Sequence, residues 1–67
     1  MEMVKMTPER FLDAALEHVE SKSIREWARS DHNRPIMLKM ADGVLKKNPA
    51  ADPLRFGTYV TCLAIGL

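Results

Sequence analysis

Proline placement constrains this chain more than any other feature. Its four prolines are Pro8, Pro35, Pro49 and Pro53. Proline lacks an N–H and clashes with the preceding turn, so it suits a helix start and breaks a helix interior. All four stand where a helix would begin or end, and the stretches between carry apolar residues at helical spacing. Thr7-Pro8-Glu9 is a helix start, with Thr7 as cap and Pro8 at the first helical position. Met6 and Phe11 are spaced for a hydrophobic staple across it. Phe11, Leu12, Ala15, Leu16 and Val19 then share one face, with Asp13, Glu17 and Glu20 opposite. The first helix is expected over residues 8–21.

Ser23-Ile24-Arg25-Glu26 reads as a capping box that opens a second, two-turn helix over 23–30. So short a helix does not hold in isolation, so Trp27 must pack on a neighbour. Ser30-Asp31-His32-Asn33 reads as a loop. Arg34 precedes Pro35, which biases it away from helical angles, so the third helix is expected over 35–47. Ile36, Met37, Leu38, Met40, Ala41, Val44 and Leu45 cover a wide apolar arc of it. Gly43 costs about 1 kcal/mol relative to alanine in a helix, which marks it as a candidate close helix crossing. Lys46 and Lys47 complement the helix C-terminus, and Asn48-Pro49 ends it.

Asp52-Pro53 repeats the cap-then-proline start. Phe56, Tyr59, Val60, Leu63, Ala64 and Leu67 follow at i, i+3, i+4, i+7, i+8 and i+11, the helical template. Thr58 to Val60 and Ile65 also favour strands, but the segment has no hairpin partner. A fourth helix is expected over 53–66. The fold class is therefore all-α: one compact bundle of four short helices, a single domain over 1–67 with residues 1–6 as an N-terminal arm. The expected core joins Phe11, Leu12, Leu16, Trp27, Met40, Val44, Phe56, Val60 and Leu63.

With 67 residues, the domain buries only roughly 60% of its unfolded surface, so its stability margin is thin. Disulfides do not relieve that, because Cys62 is the only cysteine; a single thiol fits a reducing compartment and a packed position. Residues 1–6 lack the apolar region of a signal peptide. Phe56 to Leu67 is well short of the ~20 residues that span a bilayer. A cytoplasmic protein with no membrane contact is expected.

The net charge of +1 is unevenly spread. Lys5 and Arg10 stand against Glu2, Glu9, Asp13, Glu17 and Glu20 in the first third. Lys22, Arg25, Arg29, Arg34, Lys39, Lys46 and Lys47 outweigh Glu26, Asp31 and Asp42 in the middle. Lys22, Arg25, Arg29 and Arg34 form a candidate partner-binding basic face. Leu54, Cys62 and Ile65 lie off the main stripe of the fourth helix, where only Arg55 is charged, and form a candidate apolar face for self-association or a partner.

Chemistry is not expected. His18, His32 and Cys62 have no metal-binding spacing. Ser23 and Ser30 have local structural roles, and Gly43, Gly57 and Gly66 form no phosphate loop. No enzyme, cofactor or metal is expected. Residues 23–45 have the outline of a helix-turn-helix, but the loop lacks the usual glycine, and the second helix is apolar over more than half its circumference. The leading expectation is a protein-binding module, a small regulator or inhibitor that occupies a partner's surface, with a homodimer as a further expectation. The alternative is a dimeric, helix-turn-helix-like DNA-binding regulator.

Overall fold

A computed structural model describes residues 6–66. The element order is α1 (Pro8–Glu17), α2 (Lys22–Arg29), α3 (Arg34–Lys47) and α4 (Pro53–Ala64), with no strand among the described residues. The all-α reading holds. The expected arm, residues 1–6, lies outside the described residues except for Met6, which is exposed. Leu67, the last position of the fourth helical stripe, also lies outside them.

Three of the four helix starts follow the capping rule. The Thr7 hydroxyl accepts from the Arg10 N–H at 3.2 Å, and the Asp52 carboxylate accepts from the Leu54 N–H at 3.0 Å. At α2 the cap is Ser21, whose hydroxyl accepts from the Ile24 N–H at 3.3 Å. The expected Ser23–Glu26 box does not form. A cap residue needs extended angles, and Ser21 has them, at φ −74° and ψ 118°. Ser23 is already helical, so it cannot take that role.

The same cap explains why α1 ends at Glu17 instead of continuing to residue 21. Ser21 must be extended, so the chain leaves the helix before it. His18 closes α1, with its N–H on the Ala15 carbonyl at 3.1 Å, and Val19 turns into the core. The Arg25 guanidinium reaches back and donates to the carbonyls of Val19 and Glu20. Two carbonyls just beyond α1 thereby gain a charged donor.

Arg34 is helical despite the proline that follows it. The reason lies in the preceding turn. The Ser30 hydroxyl donates to the Trp27 carbonyl at 2.9 Å, and the Asn33 amide donates to that carbonyl and to Ser30 Oγ, both at 3.0 Å. The Arg34 N–H then bonds the Ser30 carbonyl at 2.8 Å. These bonds outweigh a steric bias that is only a preference. The loop that lacks glycine is shaped by polar side chains instead. At the far end α4 stops at Ala64, two residues before the expected limit. Gly66 takes φ +81°, the left-handed conformation that glycine adopts without strain, and its N–H bonds the Leu63 carbonyl at 3.2 Å.

The core comprises Phe11, Leu12, Ala15, Leu16, Val19, Ala28, Met37, Ala41, Phe56 and Val60. Among the described residues no polar or charged residue is buried. Trp27, Met40, Val44 and Leu63 were expected in the core and are only partly buried against it. The cause is the way α3 is rolled. Met37 and Ala41 are the residues of α3 buried in the core, and α3 packs mainly on α1, which leaves Met40 and Val44 at the edge of that contact.

Gly43 is not a close crossing: a Cβ there would meet nothing within 4 Å. The crossing is at Gly57, where a Cβ would lie 2.6 Å from the Ala15 carbonyl oxygen. Glycine at this position lets α4 press its backbone onto α1.

Candidate functional site

α1 is the shared support of the bundle. α3 and α4 each pack extensively on it and hardly touch one another. Two helices resting on a third without closing leave a groove between them. Its volume is about 540 Å³. Met40, Gly43, Val44 and Lys47 of α3 form one wall, and Arg55, Phe56 and Tyr59 of α4 the other. The α3–α4 connection closes one end. There the Asn48 side chain accepts from the Ala50 N–H at 3.1 Å, and the Ala51 N–H bonds the Asn48 carbonyl at 2.9 Å. This tight turn brings Ala51 and the capping Asp52 into the lining.

The groove communicates with the core through aromatic rings. The Phe11 and Phe56 centroids lie 5.2 Å apart, and those of Phe56 and Tyr59 6.2 Å apart. Both distances suit favourable tilted packing. Phe11 and Phe56 are buried, whereas Tyr59 is 49% exposed. Ile36 extends the α3 wall: Ile36, Met40, Gly43 and Lys47 recur at i, i+4, i+7 and i+11, and Ile36 is 47% exposed. The result is an apolar trough whose mouth is open to solvent.

Its charges are simple. Among the described residues two ion pairs form, Arg34–Asp13 at 3.9 Å and Lys46–Asp42 at 3.0 Å. Neither includes Lys47 or Arg55, which stand on opposite walls of the groove. The third charged group in the lining, the Asp52 carboxylate, is engaged as the α4 cap.

The residues proposed from sequence are placed as follows. Lys22 and Arg29 of the basic face are exposed. Arg25 and Arg34 are half-buried, the first on the carbonyls beyond α1 and the second beside Asp13. On the apolar face Leu54 is 50% and Ile65 60% exposed, with Cys62 half-buried between them. Thr58 and Thr61 share that side of α4. Their hydroxyls donate to the Leu54 and Gly57 carbonyls at 3.2 and 2.9 Å, so the helix itself satisfies their protons.

The groove itself was not anticipated. Its signal was the apolar arc of α3, which is wider than one neighbouring helix can cover. His18 and His32 are exposed. Among the described residues no three His, Cys, Asp or Glu side chains gather as a metal site, and no helix is long and apolar enough to cross a membrane. No protein-family model, curated protein or solved structure matches the chain.

Proposed function

We propose that this chain is a protein-binding module, a small cytoplasmic regulator or inhibitor that holds an apolar segment of a partner protein in the α3–α4 groove. The observation that carries the reading is the groove itself, an open apolar concavity between two helices that both rest on a third. A concave apolar surface of this size with a few polar groups at its edge suits recognition. Filling it would also shield Met40, Val44 and Tyr59, which the fold leaves partly wet.

Gly43→Trp tests this. The position faces open space, so the indole enters the groove without disturbing the core. Pull-downs from native lysate, with and without nuclease, are compared for parent and variant. Protein partners that survive nuclease with the parent and are lost with Gly43→Trp support the groove. Identical partners for both chains refute it. Loss of every partner on nuclease treatment favours the DNA-binding alternative, in which Lys22, Arg25, Arg29 and Arg34 meet phosphates.

A second surface supports self-association. Leu54, Thr58, Thr61 and Ile65 recur at i, i+4, i+7 and i+11 along the outer side of α4, the spacing of a helix–helix seam. The threonine hydroxyls are turned onto the helix backbone, which leaves the seam free of charge and nearly free of donors. Such a stripe meets itself across a twofold axis without like-charge repulsion, so its proposed occupant is α4 of a second copy.

A further inference from the structure

We infer that the occupant of the α3–α4 groove is an acidic amphipathic helix of a different protein. The inference rests on the groove being the binding site, and it adds the conformation and charge of what binds. Conformation follows from backbone hydrogen bonding. Both walls are helices, whose interior N–H and C=O groups already bond one another. Among the described residues no strand edge offers main-chain partners. An extended segment laid in the trough would find no main-chain partner there, and each N–H or C=O group it turned onto the apolar floor would go unpaired at a cost of roughly 1–3 kcal/mol. A helix pairs its backbone internally and presents only side chains. At about 1.5 Å per residue, the lined stretches from Met40 to Lys47 on α3 and from Arg55 to Tyr59 on α4 run about 10 and 6 Å, enough to seat one to two turns of a third helix.

Charge follows from the rim. Lys47 and Arg55 flank the apolar lining formed by Met40, Val44, Phe56 and Tyr59. Neither makes an ion pair among the described residues, and the two cations outweigh the one carboxylate in the lining, Asp52, which also caps α4. Carboxylates on either side of an apolar stripe match this pattern, and lysines there would be repelled. Among the described residues, the outer faces of α1 and α4 of a second copy do not supply such a helix. The outer face of α1 carries Glu9, Asp13 and Glu17 but no apolar stripe. The outer stripe of α4 is apolar but has no carboxylate.

The test uses the whole chain and three synthetic peptides of one composition class. One has leucines at i, i+3, i+4 and i+7 flanked by glutamates. The second carries lysines in place of the glutamates. The third keeps the glutamates and scrambles the leucines. Dodecanoate and a random-sequence duplex DNA serve as non-protein probes. Binding is read from amide chemical shifts. The acidic amphipathic peptide should shift resonances at Val44, Phe56 and Tyr59, and the scrambled peptide should not. The lysine peptide should bind about tenfold more weakly, the scale of two rim-exposed charge pairs. K47E combined with R55E should reverse that preference, because both side chains are exposed and their reversal spares the core.

Equal binding of the acidic and lysine peptides overturns the charge assignment. Binding of the scrambled peptide, or of dodecanoate alone, overturns the helix assignment. Binding of duplex DNA alone overturns both. In each of these cases partner loss in Gly43→Trp would still support the groove. Peptide shifts that persist in Gly43→Trp refute the groove, and the inference with it.

Discussion

Gly43 and Gly57 both occupy helix interiors, where glycine is about 1 kcal/mol worse than alanine. Their surroundings give them opposite roles. Gly43→Ala adds a methyl to open space and should raise stability by about 0.5–1 kcal/mol. Gly57→Ala gains the same propensity but drives a Cβ to 2.6 Å from the Ala15 carbonyl oxygen. Backbone is the obstacle, so α4 itself must move, and the loss should be about 1–3 kcal/mol. Denaturant unfolding of the two variants checks the contrast; equal stabilisation by both would remove the close crossing. The propensity cost of a glycine inside a helix made Gly43 the candidate, and that cost looks the same in sequence whether the glycine faces solvent or a neighbouring backbone.

Among the elements, α2 shows how a helix start is chosen between two serines. Ser21→Ala should lower stability by about 1 kcal/mol, the usual value of a cap. Ser23→Ala should stay within about 0.5 kcal/mol, since Ser23 is an exposed residue in the first turn. Thermal melts of the pair decide which serine caps. α4 shows a different division of labour. One side places Phe56, Gly57 and Val60 in the core, and the groove side carries Tyr59. The outer side carries Leu54, Thr58, Thr61 and Ile65. Arg55 is the only charged residue of α4, so none of its three sides is a charged face.

For the whole molecule, the outer stripe of α4 sets the oligomeric expectation. Sedimentation of the parent over about a hundredfold range of concentration should show mass rising toward a dimer, as mass action requires. Ile65→Glu should hold the chain monomeric with an unchanged fold, because Ile65 is 60% exposed. A parent that stays monomeric throughout excludes the α4 contact between copies. Gly43→Trp should leave self-association intact, because the groove and the outer stripe lie on different sides of α4. Dimer formation and groove occupancy are thus separable measurements on one small chain.

Local chemistry determined the four helices and their order. Capping residues, prolines and apolar spacing act within one or two turns of chain, so Thr7-Pro8, Asp52-Pro53 and the stripes of α1 and α4 were legible without a fold. Helix limits were less so, since Ser21 and Ser23 offer similar caps and the turn from Trp27 to Arg34 depends on side-chain hydrogen bonds. Tertiary structure alone decided which helices touch. The roll of α3 that buries Met37 and Ala41 and leaves Met40 and Val44 half-wet follows from how α3 seats on α1. The approach of α4 to α1 follows from the missing side chain at Gly57. Neither is encoded in spacing along a single helix. A groove is a property of the gap between two helices, and the width of that gap is set by the third helix beneath them.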